Sequence, residues 1–177
     1  LGFTMSTSLY DLSVGSFLQM AEATVGIMQV GQQHCAENNI NLDDIVANTL
    51  HPDMAGFHFQ IVCVTHQSLG AIKGLQNGEF GPPSGYEQMD YAVLLALTQQ
   101  TVDALKALEP ASINELSGGT VVFKMGKTAI PFTCENFIQS FALPNLYFHA
   151  TTAYDILRMQ GAPLGKMNFL GQMRIGV

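Results

Sequence analysis

The sequence predicts a mainly α-helical bundle, all-α apart from one small β-hairpin. Three observations carry that expectation. Four long stretches repeat their apolar residues every three or four positions, the spacing that gathers one stripe on one face of a helix. Short runs rich in glycine, proline, asparagine and aspartate separate them. Only GTVVFKMGKTAIPFT, before the last of the four, drops the helical period.

Leu12 to Asn38 reads as the first helix, with Phe17, Met20, Ala21, Thr24, Met28, Gly31 and Cys35 on one face. The run NNINLDD breaks it, and Asp43 or Asp44 is expected to cap a short helical turn through Asn48. His51-Pro52-Asp53 is expected to open a second helix reaching about Gln76, with Pro52 in the first turn, where a missing N–H costs nothing. Its stripe is Met54, Phe57, Ile61, Thr65, Leu69 and Ile72, while Phe59, Val62 and Cys63 outside it predict cover on more than one side. The loop NGEFGPPSG leads to a third helix over Gly85 to Leu108, with Tyr91, Leu94, Leu95, Thr98, Val102 and Leu105 inward. Glu109-Pro110 ends it. Two strands, Thr120 to Met125 and Lys127 to Phe132, are predicted about a turn at Gly126, with Pro131 confined to an edge. Thr133 then caps the fourth helix. Its stripe is drawn through Ile138, Phe141, Asn145, Phe148, His149, Thr152 and Ile156, with a kink where Pro144 cannot bond the Ser140 carbonyl. The link between the first two helices is longer than an up-down hairpin needs, which leaves the topology open. Residues 5–177 are expected to form one domain, with residues 1–4 a leading extension before a natural start at Met5.

Only 12% of the residues are charged and 47% are apolar, against a charged fraction of about 25% in ordinary soluble domains. Such a chain must bury much of its surface in itself or in a partner, so a homodimer is expected. The turn-rich tail GAPLGKMNFLG, with Leu164, Met167, Phe169 and Leu170, is expected to fold back over the bundle or over a partner subunit. Seven basic residues are scattered through a chain of net charge −7, which argues against nucleic acid and anionic membrane as partners. Polar residues interrupt every apolar run before it could span a bilayer, and no secretory signal opens the chain. Cys35, Cys63 and Cys134, odd in number and without a CxxC pair, read as free thiols. A cytoplasmic location is the expectation that follows.

The residues that packing alone does not explain lie in LPNLYFHATTAYDILR. Asn145 and His149 stand one helical turn apart and point together. A buried pair of this kind must be hydrogen-bonded or hydrated, because an unpaired buried polar group costs about 1–3 kcal/mol. Either the two satisfy each other and the carbonyl freed by Pro144, or they line a polar pocket. Tyr147 and Tyr154 on the flank of the same helix, and His58 at the edge of the second helix's stripe, are candidate ligand contacts. Cys134 lies in a first helical turn and reads as inert. Phosphate-binding glycine loops and nucleophile elbows are absent.

LPNLYFHATTAYDILR, followed by MQGAPLGKMNFLG, resembles the C-terminal signature of a family of unknown function in the DinB/YfiT-like superfamily. SLYDLSV at Ser8 to Val14 and HPDM at His51 to Met54 support the resemblance, with Gly15 where that signature has proline. It implies a DinB/YfiT-like four-helix bundle, commonly dimeric. It also implies a metal site in many relatives, built from one His on the second helix and an HxxxH pair on the last. Here the positions that match are Gln60, Asn145 and His149. Amides bind zinc or nickel poorly and one imidazole cannot retain such an ion. The expectation is therefore a metal-free polar pocket, without cofactor, that binds or transforms a small organic molecule. There His149 would serve as general acid/base and Asn145 and Gln60 would orient the ligand. Two alternatives stand beside it: a structural or interaction dimer without activity, and a metal-dependent thiol-transferase-like enzyme. A replacement ligand set of His51, His58 and His149 would need the second helix to begin before Pro52.

Overall fold

All seven residues expected on the inner face of the first helix are buried. The computed structural model describes residues 7–176; the expected boundary at Met5 lies outside them. Helix α1 (Ser16–Asn38) continues from a π-helical turn at Asp11–Gly15 and ends at Asn39 in the left-handed conformation. Gly31 is its point of closest approach. A Cβ there would lie 2.8 Å from both Leu157 Cδ2 and the Tyr91 hydroxyl, so only glycine lets α1 meet two other helices at once.

The short helix α2 (Leu42–Ala47) is capped by Asn41, whose side chain accepts from the Asp43 N–H, so neither expected aspartate is the cap. The second long helix begins later than expected. His51 to Met54 form a turn closed by Met54 N–H to the His51 carbonyl, and α3 (Phe57–Thr65) starts after Gly56. Phe57 N–H is taken by the Asn48 carbonyl, so the chain must pass α2 before it can coil. A π-helical turn at His66–Gly70 leads into α4 (Ala71–Asn77).

Strand β1 (Glu79–Phe80) was not expected from the sequence. It pairs parallel with β2 (Thr120–Met125), which pairs antiparallel with β3 (Thr128–Thr133), so the hairpin becomes a three-stranded sheet of order β1-β2-β3. Gly126, at φ +59°, makes the turn, and Pro131 lies on the edge strand. Between β1 and the third helix, residues 81–90 are irregular rather than helical from Gly85. Helix α5 (Tyr91–Lys106) starts at Asp90, whose carboxylate accepts from Val93 N–H at 2.8 Å. Pro110 then opens the short helix α6 (Pro110–Asn114).

Thr133 caps α7 (Cys134–Phe137) as expected, and a π-helical turn at Ile138–Ala142 joins it to α8 (Leu143–Met159). The tail folds back on its own bundle. Helix α9 (Lys166–Leu170) lies on α1, where Gln19 donates to the Leu170 carbonyl, and Phe169 meets Tyr154 edge-on.

Two clusters make one core and fix the directions of the helices. Phe57, Ile61, Tyr91 and Leu94 pack with Met28, Cys35, Ile156 and Leu157 at one end. Val64, Ile72, Val102 and Leu105 pack with Phe17, Met20, Phe137 and Leu146 at the other. Helices α3 and α5 therefore run the same way, opposite to α1 and α8. Two parallel neighbours cannot be joined by a tight turn, so residues 81–90 return along the outside of α3 as a strap. Among the described residues no helix is long and apolar enough to cross a membrane.

Candidate functional site

Gln60 sits on the face of α3 that packs against α8 and is 2% exposed. Its Nε2 donates to the Ala55 carbonyl at 2.8 Å, which turns Oε1 toward His149 Nδ1, 2.7 Å away. An amide oxygen only accepts, so His149 carries its proton on Nδ1 and the neutral ring keeps a lone pair on Nε2. Burial pushes His149 down to about 4, so the ring is neutral near pH 7. It is half-buried, edge-on to Phe59 at 6.0 Å and to Phe148 at 5.3 Å. Both phenyl rings are exposed, by 41% and 56%.

The π-helical turn ahead of Pro144 decides how these side chains point. A π turn spends one more residue than an α turn, so everything after it is rotated by about one position. The residues facing inward are Ala142, Leu146, Ala150, Ala153 and Leu157. Each is one place after Phe141, Asn145, His149, Thr152 and Ile156, the stripe an unbroken helix would bury. Thr152 and Ile156 stay buried, but Phe148 faces out, against expectation, and Asn145 and His149 move to the flank, half-buried. Asn145 does not bond His149. Its Nδ2 donates to the Phe141 carbonyl at 2.8 Å.

The other candidates scatter. Tyr147, 41% exposed, lines a groove with Leu50, Met54, Pro144, Phe148 and Thr152, a cavity of about 460 Å³. Tyr154 packs on Phe169 under the tail, away from that groove. His58 holds the strap: its Nε2 accepts from Met89 N–H at 3.1 Å. His51 is exposed and bonded to Asp53. Cys134 is buried, and burial raises its thiol pKa; Cys63 is pushed up to about 12 in the same way. His66, which the sequence did not single out, is half-buried, stacked on Phe80 and donating Nε2–H to the Gly81 carbonyl at 2.7 Å. No sequence spacing links residues 66 and 81, so this clasp was not legible.

The donors present do not fit a transition ion. Gln60 Oε1 is taken by the imidazole, Asn145 is turned to its own helix, and one ring nitrogen remains. Zinc needs about three strong protein ligands. The replacement set fails on the late start of α3, which leaves His51 on a surface turn. Among the described residues no three His, Cys, Asp or Glu side chains gather as a metal-holding group.

The fold is similar to that of a crystal structure of a DinB family member protein from Shewanella denitrificans. The likeness covers 96% of this chain and 95% of that one, at a TM-score of 0.79 and 23% identity. No curated protein matches the sequence. A family model described as a domain of unknown function, DUF1993, matches residues 9–170. With that match running from just before the first π-helical turn to the end of α9, the chain belongs to the DUF1993 family.

Proposed function

We propose that the chain recognises a small, largely apolar organic molecule at His149 without a metal. The observation that supports this is the fixed imidazole: buried Gln60 holds Nδ1–H, and the Nε2 lone pair is left for a ligand's N–H or O–H between two exposed phenyl rings. The neighbouring groove of Tyr147, Phe148 and Met54 offers apolar surface for the rest of the molecule. A histidine whose pKa lies near 4 is a weak base at neutral pH, so the geometry favours binding over proton transfer. Titration with small phenols and their matched hydrocarbons, read by the imidazole nitrogen resonances, tests the reading. Phenols are expected to move the Nε2 resonance and His149→Phe to abolish their binding. Binding that ignores that substitution would overturn it.

A second reading is favoured by the same exposed rings. Phe59, Tyr147 and Phe148 form an apolar face suited to a second copy of the chain, which supports the homodimer expected from composition. Mass measurement in solution decides it, with Phe148→Glu expected to shift a dimer to monomer. A wild-type chain that is monomeric at high concentration removes this reading.

A further inference from the structure

The strap 81–90 does more than connect α4 to α5: it roofs a trough along the π-helical turn His66–Gly70, α4 and α5, and the trough shares no lining residue with the groove beside His149. The trough has a volume of about 490 Å³, within the range of small-molecule sites. Two glycines one turn apart, Gly70 and Gly74, form part of its wall, and Phe80, Leu69 and Leu97 give it apolar surface. Its polar lining includes one cation, one carboxylate, a histidine and several hydroxyl-bearing side chains. Lys73 lines it and belongs to none of the ion pairs among the described residues. Glu79, the carboxylate on the same wall, is paired with Lys124. Tyr86 lines the trough from the strap. His66 donates Nε2–H to the Gly81 carbonyl, so its Nδ1 keeps a lone pair beside Gly70.

We infer that this trough binds a small organic carboxylate with an apolar body, a site separate from the one at His149. The carboxylate pairs with Lys73 and accepts from Tyr86, and the body lies against Leu69, Phe80 and Leu97. The assignment rests on a cation outside the described ion pairs beside an apolar surface, in a chain of net charge −7 that otherwise repels anions. The strap, held by histidines at both ends, sets the height of the roof.

Phenylacetate is the probe, titrated into the full chain with backbone amide shifts as the readout, against phenethylamine and 2-phenylethanol. Phenylacetate is expected to perturb residues of α4, the strap and the middle of α5, and to leave the amides around Gln60 and His149 still. Lys73→Met should weaken binding about tenfold, the factor for loss of one charge-assisted hydrogen bond. Lys73→Glu should exchange the preference to phenethylamine. Lys73 is exposed, so both variants should fold. Equal binding of acid and amine by the wild type, unchanged affinity in Lys73→Met, or perturbations centred on His149 would each overturn the assignment.

Discussion

Replacing Gln60 with methionine keeps the length of the side chain and removes both of its hydrogen bonds. The wild-type amide is 2% exposed and spans from the Ala55 carbonyl to His149 Nδ1. Leaving a buried polar group unpaired costs about 1–3 kcal/mol. Here both abandoned partners have access to water, since Ala55 is exposed and His149 half-exposed. Methionine also adds some apolar burial. The loss should therefore sit at the lower end, about 1–2 kcal/mol, or about 2–8 °C in melting temperature for a chain of this size. Urea unfolding measures the first quantity, and long-range nitrogen–proton correlation of the imidazole measures the second consequence. In the wild type Nδ1 should be protonated and Nε2 bare; in Gln60→Met that preference should relax. A wild-type ring protonated on Nε2, or a variant with unchanged tautomer and stability, would refute the reasoning about how this pair is built.

Three further outcomes follow from the same structure. His149 has a folded pKa below its ordinary value, so between about pH 6.5 and 4 the unfolded chain binds a proton that the native chain does not. Stability should be complete above that window and fall as pH drops through it; the melting temperature of His149→Leu should fall less over the same range. His66, also lowered by burial, acts in the same direction. Gly31→Ala would force a methyl against Leu157 and the Tyr91 hydroxyl, and should cost about 1–3 kcal/mol in urea unfolding. His66→Phe keeps the stack on Phe80 but loses the bond to Gly81, so amide exchange and proteolytic cleavage within residues 81–90 should quicken while the core stays protected.

The inner faces of α1 and α5 were legible because no π turn falls between Phe17 and Cys35 or between Tyr91 and Leu105, so these residues fall where periodicity puts them. Gln60 and His149 were found by resemblance to positions on two different helices, and they do meet. Their exposure was not legible. A π turn leaves no compositional mark in IQSFA, yet it moves Phe148 outside and Asn145 to the flank. The start of α3 was misplaced for another reason. Pro52 can open a helix, but the Asn48 carbonyl and the passage past α2 hold the chain in a turn until Gly56. Strand β1 is only two residues long and pairs with a segment more than forty residues away, beyond the reach of any local pattern.

The extra residue at Ile138–Ala142 carries a consequence for comparing members of this family. A cousin lacking that insertion would present its equivalents of 145 and 149 to the middle of the bundle, whereas this chain presents them toward the rim. Identical letters in two aligned sequences would then stand in different surroundings, one dry and one wet. Removing one residue from the widened coil would swing the whole C-terminal half of the helix by about a hundred degrees. Evolution can thus convert an interior pair into a peripheral one without touching either member.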